Sequence, residues 1–228
     1  MKPLTILIMC TLFSAMPVLA QETGLITTTG EGRVSVQPDM ARVSLGVASR
    51  DEQASVALAN TSEAVADVMD LLERAGVSEQ DIRTTNVSLF PLRASRPRDG
   101  TTEPEITGFE ATNILQVTVL DLESLGEILD RVVQSGANTL NGLSFSVQDP
   151  APHLAQARIA AVQDARARAD QLATAAGVSL GNIRSIGEPS GRASPMMEMA
   201  AARVSDVPVA PGTITLSGRV TITFEIVQ

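Results

Sequence analysis

Three methionines in four residues, Met196-Met197-Glu198-Met199, concentrate soft donor atoms in one short stretch. Thioether sulfur binds Cu(I), and it consumes oxidant by becoming a sulfoxide. The same side chain also fills irregular gaps in ordinary packing. No His or Cys stands beside Met196, Met197 and Met199 to complete a ligand set, so a packing role is the first expectation and copper the second. Thr29-Gly30-Glu31-Gly32 offers a Gly-x-Gly, but a phosphate cradle needs a helix to follow. A strand pattern follows instead, and the glycines are expected to mark a strand distortion. The single histidine, His153, titrates near neutral pH without help. It falls in the first turn of a helical pattern, where a surface or capping role is expected. Asp164, Arg166, Arg168 and Asp170 pair opposite charges at a spacing of four, which reads as a solvated helix face or a contact between subunits.

The remaining inventory is poor in reactive groups. The one cysteine, Cys10, and the one lysine, Lys2, lie in the first twenty residues, and the chain has no Trp or Tyr. Covalent and acid–base catalysis leans on Cys, His, Lys, Tyr or an activated Ser. The composition therefore leans away from an enzyme, and no catalytic or cofactor-binding residue is assigned. The full chain carries a formal charge of −9, and loss of Lys2 makes it more acidic by one unit. Such a chain repels nucleic acid and anionic membrane surfaces.

Those first residues have a positive start, an apolar run from Leu4 to Leu19, and Ala20. This order is that of a secretory signal cleaved after Ala20. The run is broken by Thr5, Thr11, Ser14 and Pro17 and falls short of the roughly 20 apolar residues of a bilayer span. Residues 21–228 are expected to form the mature chain, in the periplasm or outside the cell and with no membrane span. Without cysteine it holds no disulfide and relies on an ordinary core.

The elements that would position these groups follow from periodicity. Ile214, Leu216, Val220, Ile222, Phe224 and Ile226 alternate with polar residues, so Thr213–Val227 is a long strand with one buried face, and Gly218 marks a bulge or a close backbone contact. Leu25–Val36 and Met40–Ser49 read as two strands joined by Gln37-Pro38-Asp39, which has hairpin chemistry. Ala57, Thr61, Ala64, Val65, Val68 and Leu72 mark a first helix, capped by Asp51 and closed by Gly76. Strands follow near Ile82–Leu92 and Phe109–Leu120. A second helix carries Leu125, Ile128, Leu129, Val132 and Val133. After a strand near Leu140–Val147, Asp149-Pro150 opens a third helix. Its buried stripe is expected at Ala155, Ile159, Val162, Ala169, Leu172 and Ala176. A strand near Asn182–Ile186 and a loop over Gly187–Gly212 complete the chain. The fold class is α+β, with largely antiparallel sheets and three main helices packed on one face, in one body or two lobes. Ala75-Gly76-Val77-Ser78 recurs as Ala176-Gly177-Val178-Ser179, a helix–Gly–strand unit repeated at a spacing of 101. Either shared helix-end chemistry or two related units accounts for it.

Six segments together resemble the SIMPL-domain family of bacterial periplasmic proteins, a family associated with oxidative-stress defence. They are Thr29–Gly32, Val36–Asp39, Asp81–Thr84, Gly108–Asn113, Ser135–Asn138 and Ala161–Arg166. The resemblance runs over the whole mature chain and carries over no catalytic residue. It implies an exported α+β protein that assembles into ring- or channel-like homo-oligomers. The expected function is a non-enzymatic envelope scaffold, with a small-ligand or copper-binding module as the alternative.

Overall fold

The computed structural model describes residues 24–94, 105–188, 196–198 and 210–227. The expected signal sequence within residues 1–23, Met199 and most of the two long loops lie outside the described residues. In chain order the elements are β1 (Leu25–Val36), β2 (Met40–Asp51), α1 (Ala54–Arg74), β3 (Ile82–Arg93), β4 (Ile106–Val119), α2 (Leu125–Gln134), β5 (Thr139–Ser146), α3 (Ala151–Ala176), β6 (Ser179–Gly187), β7 (Met196–Glu198) and β8 (Thr213–Val227). They build two four-stranded sheets. One has the order β1-β8-β6, with β7 also paired to β8, and the other has the order β3-β4-β2-β5. Every pairing is antiparallel. The class is α+β.

Period-two burial holds along β8. Ile214, Leu216, Val220, Ile222 and Phe224 are buried, with Ile222 only 1% exposed. The opposite face pairs hydroxyls with β1, where Thr27 meets Thr223 and Thr29 meets Thr221, each at 3.0 Å. The strand is central, lying between β1 and β6. The expected β1–β2 hairpin does not form. β1 pairs with β8 and β2 with β4 and β5, so Gln37-Pro38-Asp39 carries the chain from one sheet to the other. Turn chemistry fixed the break between strands, but Asp39 turns it toward β5: its carboxylate accepts the Gln148 N–H at 2.8 Å.

Two cores result. The larger lies between the second sheet and the helices α1 and α2, and includes Val43, Leu45, Val68, Leu72, Leu115, Val117, Leu125 and Val132. A buried hydroxyl inside it is satisfied, since Thr61 Oγ1 donates toward the Ala57 and Ala111 carbonyls at 2.9 and 3.2 Å. Asp51 is not the cap of α1. Gln53 occupies that position, and the Asp51 carboxylate accepts the Gln53 N–H in the turn ahead of it.

The smaller core lies between the first sheet and α3, and keeps only Ala169 of the expected stripe. Ala157, Ala161, Ala165, Ala169 and Ala173 are buried, while Ile159, Val162 and Leu172 are exposed and Ala155 and Ala176 lie outward. The reason is on the sheet. Gly30 and Gly32 of β1 and Gly218 of β8 leave no side chain beneath the helix, so α3 sinks until its backbone touches theirs. A Cβ on Gly30 would stand 2.1 Å from the Ala161 carbonyl oxygen, and one on Gly32 2.0 Å from that of Ala157. Nothing larger than alanine fits a gap this narrow. The expected distortion at Thr29–Gly32 is absent as well, because β1 pairs with β8 in unbroken register through Gly32↔Gly218.

The repeated helix–Gly–strand unit has one physical cause. Val77 N–H bonds the Leu72 carbonyl and Val178 N–H that of Ala173, each around a glycine of positive φ, Gly76 at 89° and Gly177 at 70°. This is the Schellman closure. α2 ends with the same bond, from Ala137 N–H to the Val132 carbonyl.

Candidate interaction surfaces

The residues with chemical potential do not converge. His153 is half-buried in the first turn of α3. Met196, Met197 and Glu198 form β7, whose backbone runs against Thr215, Ile214 and Thr213. Among the described residues no group of three or more His, Cys, Asp or Glu side chains is placed to hold a metal ion. Of the charged set on α3, Asp164 and Arg168 pair at 3.0 Å as their spacing predicts.

Asp164 has a second partner that spacing could not reveal. Its Oδ2 accepts the backbone N–H of Glu31 at 2.8 Å. The Glu31 side chain in turn accepts from Arg219 of β8, with Arg33 at 3.3 Å. The Arg219 guanidinium, through its hydrogen bond and its charge, holds the Glu31 carboxyl below the usual carboxylate range. The Glu31 amide and then Arg168 do the same for Asp164. Both groups are held ionised, the wrong state for a general acid at neutral pH. Thr29–Gly32 and Ala161–Arg166 are thus two halves of one joint. The glycines admit the helix, the alanines meet them, and Asp164 and Thr28 fasten it, Thr28 Oγ1 donating to the Ala165 carbonyl at 2.8 Å.

Ser135–Asn138 has a comparable structural role. Asn138 Oδ1 accepts the Ala48 N–H and its Nδ2 donates to the Ala48 carbonyl, both at 2.8 Å, while its own N–H bonds the Gly46 carbonyl. One amide side chain therefore completes the edge of β2 beyond the point where β5 begins at Thr139.

Among the described residues, exposed apolar side chains gather at other sheet edges. β3 is the outer strand of the second sheet and is twelve residues long. Helix α1 packs over β4 and β2 and reaches β3 much less. Consequently Val87 and Leu89 stand 56% and 40% exposed, and Phe90 on the opposite face 61%. Likewise α3 covers β1 and β8 and leaves most of β6 uncovered, with Ile183 and Ile186 exposed. Sequence periodicity identified β3 as a strand but not as an edge. Its mixed pattern, Val87-Ser88-Leu89-Phe90, was the available signal, because a strand buried on one face only would alternate.

These features describe a two-sheet α+β protein whose notable surfaces are strand edges rather than a cluster of reactive groups. The chain belongs to the SIMPL family of proteins of unknown function (DUF541), which it matches over residues 26–224. It is 33% identical over 227 residues to a 26 kDa periplasmic immunogenic protein of Brucella melitensis, covering 93% of this chain and 91% of that protein. It is also similar to the uncharacterized protein YggE of Edwardsiella ictaluri, at 30% identity over 71% of this chain and 66% of that one. The Escherichia coli K12 protein of the same name is 28% identical over 80% of this chain and 73% of its own length. No helix among the described residues is long and apolar enough to cross a membrane.

Proposed function

We propose that this chain is an exported, non-enzymatic building block of a homo-oligomeric assembly in the bacterial envelope, joined through the outer edge of β3. The observation that carries the reading is that, among the described residues, no strand pairs the outer edge of β3, where Val87, Leu89 and Phe90 are exposed. An edge of this kind presents unpaired backbone groups beside apolar side chains, and a second copy satisfies both. Closed symmetry then avoids open fibres, and the acidic surface keeps finished assemblies apart. Export is supported by the charge–apolar–small order of Met1–Ala20 and by the periplasmic relative in Brucella. The association with oxidative-stress defence belongs to the same proposal and rests on the family resemblance.

The test is the mass of the mature protein in solution by light scattering at micromolar concentration. A closed oligomer is expected, and Val87→Lys should reduce it to a monomer by placing a charge at the seam. A concentration-independent monomer, or an oligomer indifferent to charge at Val87, Leu89 and Phe90, refutes the reading. Survival of a deletion strain under peroxide tests the stress role separately.

A further inference from the structure

The first sheet also ends in a long strand, β1, yet its edge differs from that of β3. Gly24 accepts the Ile226 N–H at 2.8 Å, so even-numbered residues at this end of β1 direct their backbone groups at β8. The register is unbroken from Leu25 to Val36, and the alternation of an antiparallel ladder therefore turns the odd-numbered amides outward. Glu31 lies at the middle of that outward row, and its N–H is taken by Asp164 Oδ2. The carboxylate reaches there only because Gly30 and Gly32 let α3 descend to backbone contact. Thr28 at the Ala165 carbonyl holds the helix in that position, and Arg168, one turn along the same helix at 3.0 Å, orients the Asp164 carboxylate.

We propose that Asp164 is an edge lock: it closes β1 to strand addition, so that copies join at β3 and not at β1. An incoming strand would need the Glu31 N–H as a donor, and it would meet a carboxylate where its own carbonyl must sit. That carbonyl would be repelled by the negative charge, and inward-pointing charge is one of the means by which sheet edges are kept from pairing. The lock accounts for Asp164 lying within the Ala161–Arg166 segment and for the two glycines opposite it, without assigning either a catalytic role.

Amide hydrogen exchange on the Val87→Lys background tests this, with light scattering on the same samples. In Asp164→Ala, diluted until light scattering reads a monomer, the Glu31 amide should exchange at least about tenfold faster, because it loses its acceptor, while Gly30 and Gly32, bonded to β8, keep their protection. At higher concentration the mass should rise as the released edge pairs between copies, and the Glu31 protection should return with it. Asp164→Lys, which replaces the acceptor by a donor, should give the same faster exchange, and Asp164→Asn, which keeps an acceptor oxygen, should retain most of the protection. Unchanged Glu31 exchange in both the Ala and Lys variants overturns the lock, and so does faster exchange with no gain in mass. The exchange rate does not depend on the β3 reading: an oligomer insensitive to Val87→Lys would sink the β3 interface while leaving the Glu31 result to decide the lock.

Discussion

Replacing Gly30 with Ala should unseat α3. The new Cβ would lie 2.1 Å from the Ala161 carbonyl oxygen, 2.3 Å from the Ala165 nitrogen and 2.8 Å from the Ala165 Cα. All three are backbone atoms, so no rotamer change relieves the contact. Either the helix lifts by about an ångström or more, or the strand bends, and both open the alanine seam. Overpacking of a core costs about 1–3 kcal/mol, and a rigid backbone partner places this case at the upper end. Lifting the helix also stretches the bond from Thr28 Oγ1 to the Ala165 carbonyl, which contributes about 1 kcal/mol. The expected loss is therefore about 4 kcal/mol, or roughly 8–16 °C in melting temperature for a chain of this size. Gly142→Ala is the control, since nothing lies within 4 Å of a Cβ there, and it should change stability by less than about 1 kcal/mol. Urea melts of the mature protein measure both. A Gly30→Ala loss as small as that of Gly142→Ala would show that the helix has room the structure does not give it.

The facing of β8 predicts that Ile222→Ala costs about 2–5 kcal/mol through a cavity, whereas Thr221→Ala on the hydroxyl face costs under about 1 kcal/mol; equal shifts in a denaturant melt would contradict the assigned face. Asn138→Ala removes both bonds to Ala48 and should cost about 1–2 kcal/mol, with faster amide exchange at Ala48 as its local signature. Acid sensitivity follows from Glu31 and Asp164, whose carboxyls are held below their ordinary values of 4.5 and 3.8. The unfolded chain binds the extra protons first, so their contribution is complete above the ordinary values and is lost progressively as pH falls from those values through the lowered ones of the folded state. Arg219→Ala should accordingly flatten the fall in denaturation midpoint below about pH 4.5, and an unaltered acid limb would show that Arg219 does not hold Glu31.

Much of the backbone plan could be read from the sequence, because each strand and helix declares its own period. Thr213–Val227 was bounded to the residue, since a strict alternation over that length has one geometric meaning. What failed was partnership. Three residues between β1 and β2 looked like a hairpin because local turn chemistry says nothing about a competitor nearly two hundred residues away, and Thr27 finds its hydroxyl partner at a separation of 196. The stripe on α3 failed at every position but Ala169, and for a different reason. Hydropathy favours Ile159, Val162 and Leu172 over alanine, yet burial was decided by the width of the gap, and that width is written on other strands, at Gly30, Gly32 and Gly218. The joint between Asp164 and Glu31 was out of reach for the same reason, since a carboxylate aimed at a main-chain amide leaves no complementary side chain to find. Its spacing showed Asp164 as half of an ion pair with Arg168, and its place in the Ala161–Arg166 segment gave it no partner on β1.

The placement of β8 sets an order of events. Everything in the second sheet, with α1 and α2, is drawn from one uninterrupted stretch, residues 40–146, and its core needs nothing from outside that stretch. The first sheet is split, with β1 made before that stretch and its neighbour β8 made last. Until Thr213–Val227 emerges, β1 has no partner and α3 has no floor beyond the two glycines of β1. Closing so long a loop is entropically slow compared with the local pairings of the second sheet. The half of the molecule that carries the open β3 edge is therefore complete first, and for an interval it stands beside a strand whose own edge has not yet received its lock. A chain that reaches high concentration during that interval has two strands to offer its neighbours, and the timing of α3 docking decides which of them is used.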